Sequence, residues 1–131
     1  MDTKDFIPKD KGDFETVARL REIKFEELRL IIPEILVWLQ DLHWPIARPI
    51  AEALMPHADK LTPDFINILK TNDGEWKYNV LVLFGRKTKD SLFLEEIKRI
   101  VLYPTQDEIR EEVDIEATKI VNGEYNDNSK F

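Results

Sequence analysis

The chain contains no cysteine among its 131 residues, so it has neither a disulfide framework nor a thiol for catalysis or metal binding. Its four glycines offer little material for a phosphate-cradling loop, and no Walker or dinucleotide-binding glycine pattern occurs. No apolar run approaches the roughly 20 residues that span a bilayer, and the polar N-terminus does not resemble a secretory signal. We therefore expect a cytoplasmic protein.

The charge of the chain is acidic overall and unevenly distributed along the sequence. The net charge is −7, and residues 105–131 carry eight acids against three bases. Nucleic-acid binding depends on lysine and arginine to neutralise phosphates, so this balance argues against it. With 43% hydrophobic and 34% charged residues, the chain has the composition of a globular domain that is long enough for one buried core.

Two similar segments, Asp41–Trp44 and Asp73–Trp76, are the most informative pattern in the chain. They are 32 residues apart, each has an Asp three residues ahead of a Trp, and an apolar run follows each Trp. A period of this length is typical of one helix-turn-helix unit in a stacked array. Such arrays expose broad surfaces and usually work by binding.

The apolar spacing indicates helices throughout, about six to seven in antiparallel pairs. We expect Pro33 to separate two helices, at 26–32 and 33–41, and Pro49 to kink a helix that begins at Pro45. Later helices are expected to begin after the capping residues Asp73, Ser91 and Thr105. The run from Val80 to Phe84 has strand-like composition, but the cap at Asp73 favours a helix over 74–85. The fold prediction is an all-α, HEAT-like domain over residues 1–121 with a polar tail at 122–131.

Six residues form the candidate interaction surface. The tryptophans would either anchor a partner or pack between repeats, and their recurrence at the repeat period favours packing. The aspartates would act as ligands or bases, or would cap and orient the turns, and capping is favoured. The arginine would pair with the nearby Asp or bind an anionic partner, and pairing is favoured. The six residues are Asp41, Trp44, Arg48, Asp73, Trp76 and Lys77.

No residue set predicts catalysis, a metal site or a cofactor. His43 and His57 have no nucleophile within reach in the sequence, and a lone His-x-Asp pair is weak evidence for a metal. Glu108, Glu111 and Glu112 are interpreted as a solvated acidic face, because no Glu-x-x-His unit accompanies them. A small basic loop spans residues 86–89; it could touch phosphate, but such loops are more often only solvated.

Several motifs resemble one known family. They are the segment from Ile7 to Phe14, the segment from Pro33 to Pro49 with its Trp44-Pro45 pair, Trp76-Lys77-Tyr78 and Pro104-Thr105. Together they resemble small bacterial proteins of domain-of-unknown-function family 5071, from about residue 6 to residue 121. The resemblance implies an all-helical, HEAT-like domain in a bacterial cytosol and implies no activity. His43 stands where the family commonly has Asn, which lowers the case for a special role of its imidazole.

Two functions are in competition. The first is a non-enzymatic protein-protein interaction module, whose partner would be another protein. The second is an enzyme or binder that acts on nucleotides or DNA bases through a HEAT-like concave surface. The second rests on fold analogy alone, and the acidic charge counts against it.

Overall fold

A computed structural model describes residues 2–124, and these residues are helical with no strand among them. They divide into two compact units, one that ends at His57 and one that begins at Ala58. No helix in the described range is long and apolar enough to cross a membrane. The predicted all-α class is confirmed. Of the predicted tail at 122–131, only residues 122–124 lie within the described range.

The unit up to His57 consists of short helices joined by tight turns. Its α-helices are α1 (Phe14–Leu20), α2 (Phe25–Leu28), α3 (Ile32–Leu36) and α4 (Ala47–Leu54). Single 3-10 turns occupy Thr3–Phe6, Arg29–Ile31 and Val37–Leu39, and a fourth, Met55–Lys60, runs across the boundary between the units. Helix α1 packs against α4, and the Arg21 guanidinium lies 3.0 Å from the Glu52 carboxylate.

The predicted interruption before Pro33 is present. Ile31 leaves helical geometry with φ −119° and ψ 6°, and Pro33 follows as the second residue of α3. At that position its missing N–H costs no hydrogen bond. The expected continuous helices at 26–32 and 33–41 are instead alternating α and 3-10 turns.

Pro49 lies at the start of a helix and not in its interior. Helix α4 begins at Ala47, two residues later than the expected start at Pro45, so Pro49 is its third residue. The first turn of a helix has no intrahelical partner for its N–H groups. The proline therefore removes no hydrogen bond, and the reason for expecting a kink there disappears.

The unit from Ala58 onward contains α5 (Thr62–Leu69), α6 (Gly74–Phe84), α7 (Ser91–Leu102), α8 (Gln106–Arg110) and α9 (Val113–Val121). Helices α6 and α7 both pack against α9. Three aromatic rings occupy the interior: Phe65 stacks on Phe84 with ring centroids 4.6 Å apart, and Phe93 meets Phe65 edge-on at 6.3 Å. The run from Val80 to Phe84 is helical, as predicted.

Aspartate side chains cap helices α6 and α7. The Asp73 cap is confirmed, since its carboxylate accepts a hydrogen bond from the Trp76 amide at 3.0 Å. Ser91 is not a cap: it is the first helical residue, and the carboxylate of Asp90 accepts from the Phe93 amide at 3.0 Å. An Asp one residue earlier offers the same capping geometry, so the helix begins at Ser91 and not after it.

The predicted last helix is broken in two. Thr105 and Glu108 form a capping box at the start of α8, so the predicted cap is correct. Glu112 then adopts a left-handed conformation with φ 61°, and α9 begins at the next residue. The described part of the chain thus has more and shorter helices than the six to seven expected, and the HEAT-like arrangement stays a prediction.

Candidate interaction surface

An indole pair lies in the unit up to His57. The rings of Trp38 and Trp44 meet edge to face, with centroids 5.5 Å apart and planes inclined by 71°. Both residues are half-buried. Trp38 lies in the 3-10 turn Val37–Leu39, and Trp44 lies in the turn that leads into α4. The contact fixes two large aromatic groups side by side.

The turn that carries Trp44 is held by Asp41. The Asp41 carboxylate accepts a hydrogen bond from the His43 backbone amide at 2.8 Å and lies 3.2 Å from His43 Nδ1. The Trp44 amide in turn donates to the Asp41 carbonyl at 3.2 Å. The His43 side chain is 98% exposed and sits directly beside Trp44 in the chain. Asp41 therefore orients the turn, which is the structural role that the sequence favoured.

Arg48 is exposed on the first turn of α4. The favoured interpretation, an ion pair between Arg48 and Asp41, is wrong. The Asp41 carboxylate binds His43 instead, and Arg48 makes no ion pair with any residue from 2 to 124. We call the group of Trp38, Asp41, His43, Trp44 and Arg48 the tryptophan surface. Sequence reasoning missed Trp38, although it lies in the same motif as Asp41.

The second Asp-x-x-Trp segment, Asp73–Trp76, has a different local structure from the first. Asp73 caps α6 and Trp76 is the third residue of that helix, whereas Trp44 lies three residues ahead of α4. The same Asp-x-x-Trp spacing therefore serves a helix cap in one segment and a turn in the other. Trp76 is half-buried.

Lys77 does not belong to a surface, and its place in the predicted interaction surface is wrong. Its side chain is 1% exposed, and its ammonium lies 2.8 Å from Asp107 Oδ2 and 2.9 Å from Glu108 Oε2. A buried ammonium requires such partners, because an isolated charge inside a protein is strongly destabilising. Both partners come from α8, 30 residues further along the chain.

Glu108 is the centre of this buried ion network. Its carboxylate also accepts two hydrogen bonds from the Arg99 guanidinium, at 2.7 and 2.8 Å, and one from the Thr105 amide at 2.8 Å. Burial of the carboxyl raises its pKa, but hydrogen bonds from Arg99, Lys77 and the Thr105 amide outweigh that effect and hold the pKa at about 2. The expectation that Glu108 lies on a solvated acidic face is therefore wrong, since its side chain is fully buried.

The same network explains two further pKa shifts. Burial opposes ionisation of Asp107, yet hydrogen bonds from Lys77 and Thr105 lower the pKa of its carboxyl below the usual value. Glu108 raises the pKa of the Arg99 guanidinium above its usual value, and Glu96, 2.7 Å away, adds to this effect. Apart from Thr105, which caps α8, these side chains lie on α6, α7 and α8, so the network ties three helices together. The network therefore serves to hold the helices together.

No arrangement for catalysis or metal binding is evident in residues 2–124. No group of three or more His, Asp and Glu side chains there could hold a metal ion. His57 packs its ring against Phe25, with centroids 5.1 Å apart, and His43 faces solvent. The tryptophan surface thus combines half-buried aromatic side chains with the exposed His43 and Arg48.

Comparison with models of protein families identifies a match over most of the chain. The family model of a domain of unknown function, DUF5071, matches residues 6–121. No curated protein matches the chain.

Proposed function

The chain belongs to the family of domain of unknown function DUF5071, and we propose that it is a non-enzymatic protein-protein interaction module. The observation that carries the proposal is the half-exposed Trp38–Trp44 pair, with the exposed His43 next to Trp44 in the chain and the exposed Arg48 on the first turn of α4. Tryptophan and arginine are the residue types that contribute most often to binding energy at protein interfaces.

The pair is suited to binding because it is already ordered. An edge-to-face contact fixes both rings, and the Asp41 hydrogen bonds fix the turn that carries Trp44. Ordering a flexible side chain on association costs about 0.5–1.5 kcal/mol, so a fixed ring avoids much of that cost. A partner would cover the accessible ring surface and exclude water from it.

Arg48 adds a charge that a partner can recognise. It is exposed and has no ion pair within residues 2–124, so its guanidinium is available for a carboxylate. Arginine binds carboxylates through two parallel hydrogen bonds, which adds geometric specificity. The proposed partner is a protein with an acidic group beside an apolar contact patch.

A fold and a cellular location accompany the proposed binding surface. We propose that the helices form a HEAT-like array of antiparallel pairs and that the protein works in a bacterial cytosol. Support comes from the all-helical structure and from the 32-residue spacing of the two Asp-x-x-Trp segments. Repeats of this kind commonly present broad surfaces to other proteins.

Affinity capture followed by reconstitution tests the proposal. Tagged wild-type protein, Arg48→Glu and the control Lys98→Glu would be incubated with lysate of the source cell. Lys98 is an exposed cation on α7, so its variant makes the same charge change away from the tryptophan surface in the sequence. We expect one stoichiometric partner with wild type and with Lys98→Glu, and its loss with Arg48→Glu.

Reconstitution with the purified partner then measures its dissociation constant for each variant. Loss of a bidentate charged contact should weaken binding about tenfold or more. Equal binding by Arg48→Glu and wild type would exclude this surface. Absence of any partner, together with salt-sensitive binding to DNA, would favour the nucleotide- or DNA-directed alternative over an interaction module.

A further inference from the structure

A small cavity lies between the end of α6 and the end of α9. Its volume is about 150 Å³, and its wall includes Arg86, Thr88, Lys89 and Glu124. Leu94 and Ile120 supply apolar wall on the inner side. An apolar cavity of roughly this volume accommodates benzene, so the space suits a ligand of about six heavy atoms.

Arg86 is held in place at this cavity. One Nη1–H donates to Glu116 Oε2 at 2.8 Å, and Nε donates to the Glu124 carbonyl at 3.1 Å. A guanidinium has five N–H donors, and Nη2 makes no hydrogen bond to any residue in the range 2–124. Only 12% of the Arg86 side chain is exposed. The free donors therefore belong to a fixed and largely buried group.

Two further donors lie on the same wall. The Thr88 side chain is 4% exposed, and its hydroxyl accepts a hydrogen bond from the Asp90 amide at 3.4 Å, which leaves its O–H hydrogen to donate. The Lys89 ammonium is exposed and has no ion pair with the described residues. Arg86, Thr88 and Lys89, each with an N–H or O–H that makes no hydrogen bond within residues 2–124, thus all line one small space.

Hydrogen-bond donors and not net charge favour an acceptor-rich ligand at the cavity, because the carboxylates of Glu116 and Glu124 offset the charges of Arg86 and Lys89. Two cationic side chains and one carboxylate line it, in a chain whose net charge is −7. A carboxylate ligand would carry one negative charge, and Glu116 already gives Arg86 that kind of partner. A phosphate monoester carries about −1.5 to −2 and three acceptor oxygens. Its three oxygens match the donors of Arg86, Thr88 and Lys89 better than the two oxygens of a carboxylate do.

We propose that the cavity bordered by Arg86, Thr88 and Lys89 binds the phosphate group of a small phosphate monoester. Arg86 Nη2, the Thr88 hydroxyl and Lys89 Nζ each donate to a phosphate oxygen. The first carbon atoms of the ligand contact Leu94 and Ile120. None of these residues belongs to the tryptophan surface, so the site is separate from the proposed protein contact and its failure would leave that proposal intact.

Titration of the ¹⁵N-labelled protein, followed by backbone amide NMR shifts, tests the site. The probes are inorganic phosphate and glycerol 3-phosphate, each against chloride at equal ionic strength. We expect saturable shifts at the amides of residues 85–89 and 120–124. Glycerol 3-phosphate should bind at least as tightly as inorganic phosphate, because its phosphate group and first carbon fill the cavity against Leu94 and Ile120 while the rest of the molecule extends into solvent.

Matched lysine variants test whether the phosphate probes bind at the cavity. Lys89→Gln should raise the dissociation constant about tenfold, since it removes one charged hydrogen bond, whereas Lys98→Gln should leave it unchanged. Both positions are exposed, and the amide spectrum itself reports whether each variant is folded. Non-saturating shifts, shifts spread over many exposed lysines, equal weakening in both variants, or binding of inorganic phosphate alone would overturn the proposal.

Discussion

The Lys77 ammonium lies 2.9 Å from a carboxylate oxygen of Glu108, and both side chains are almost fully buried. The two residues are 31 positions apart and belong to α6 and α8. Arg99 of α7 binds the same carboxylate, so one glutamate joins three helices. The stability of the unit from Ala58 onward should therefore depend on this network.

Removal of the buried cation should be strongly destabilising. Lys77→Met keeps a long side chain but leaves Asp107 and Glu108 without their common partner. Breaking a buried pair typically costs about 3–5 kcal/mol, because an uncompensated charge remains. Arg99 still binds Glu108 in this variant, so we expect a loss near the lower end, about 3 kcal/mol. Urea denaturation measures the free energy of unfolding.

Lys98→Met serves as the control for this substitution. Lys98 is exposed on α7, so the change in stability should stay within about 0.5 kcal/mol. A loss below about 1 kcal/mol for Lys77→Met would show that the network contributes little to folding.

Stability should fall in acid through Glu108. The pKa of its carboxyl is about 2 in the folded protein against 4.5 for the ordinary group, so the unfolded chain binds the proton more readily. The contribution is complete above about pH 4.5 and is lost as the pH falls toward about 2. Asp107 acts in the same direction, since its pKa is also lowered.

Urea titrations of wild type and Glu108→Gln over this pH range measure the effect. We expect the variant to be less stable at neutral pH but to show a shallower dependence on pH, because it lacks the titrating group. Parallel pH profiles for the two proteins would argue that Glu108 titrates normally.

Close packing of α6 on α8 should exclude a side chain at Gly74. A Cβ built there would lie 2.4 Å from the Asp107 carbonyl oxygen, which is backbone and cannot move alone. We expect Gly74→Ala to cost about 1–3 kcal/mol by overpacking. At Gly12 the nearest atom is Asp10 Oδ1 at 3.7 Å, an ordinary contact, so Gly12→Ala should stay within about 0.5 kcal/mol. Thermal unfolding of both variants provides the comparison, and equal melting temperatures would contradict the packing.

The contact between Trp38 and Trp44 should appear as an energetic coupling. Edge-to-face aromatic pairs contribute about 0.5–1.5 kcal/mol beyond the area that they bury. A double-mutant cycle with Trp38→Leu, Trp44→Leu and the double variant should therefore give a coupling in that range. If the two single losses add to within about 0.3 kcal/mol, the rings do not support each other.

The sequence predicts the features that depend only on residues close together along the chain. Asp73 caps α6 because a carboxylate at that offset meets the Trp76 amide, and Pro33 marks the start of a helix because its ring excludes it from an interior. The helical interpretation of Val80–Phe84 was correct for the same reason, since the cap fixed the start of the helix that contains it.

The errors concern features that depend on distant partners. The sequence around Lys77 gives no sign that this side chain is buried, because the carboxylates that allow its burial lie 30 and 31 residues away. The absence of a Glu-x-x-His unit suggests a solvated Glu108, but the partner that allows its burial, Arg99, belongs to another helix. The break at Glu112 has no local signal either, since a glutamate rarely adopts a positive φ.

Site-specific photo-crosslinking tests the interaction account most directly. A photoreactive phenylalanine analogue would replace His43, whose side chain is 98% exposed beside Trp44, and in a control protein it would replace Lys98. After irradiation of living cells, we expect one discrete protein adduct from position 43 and none of the same mass from position 98. Absence of an adduct at position 43, or the same set of adducts from both positions, would contradict a protein-binding role for the tryptophan surface.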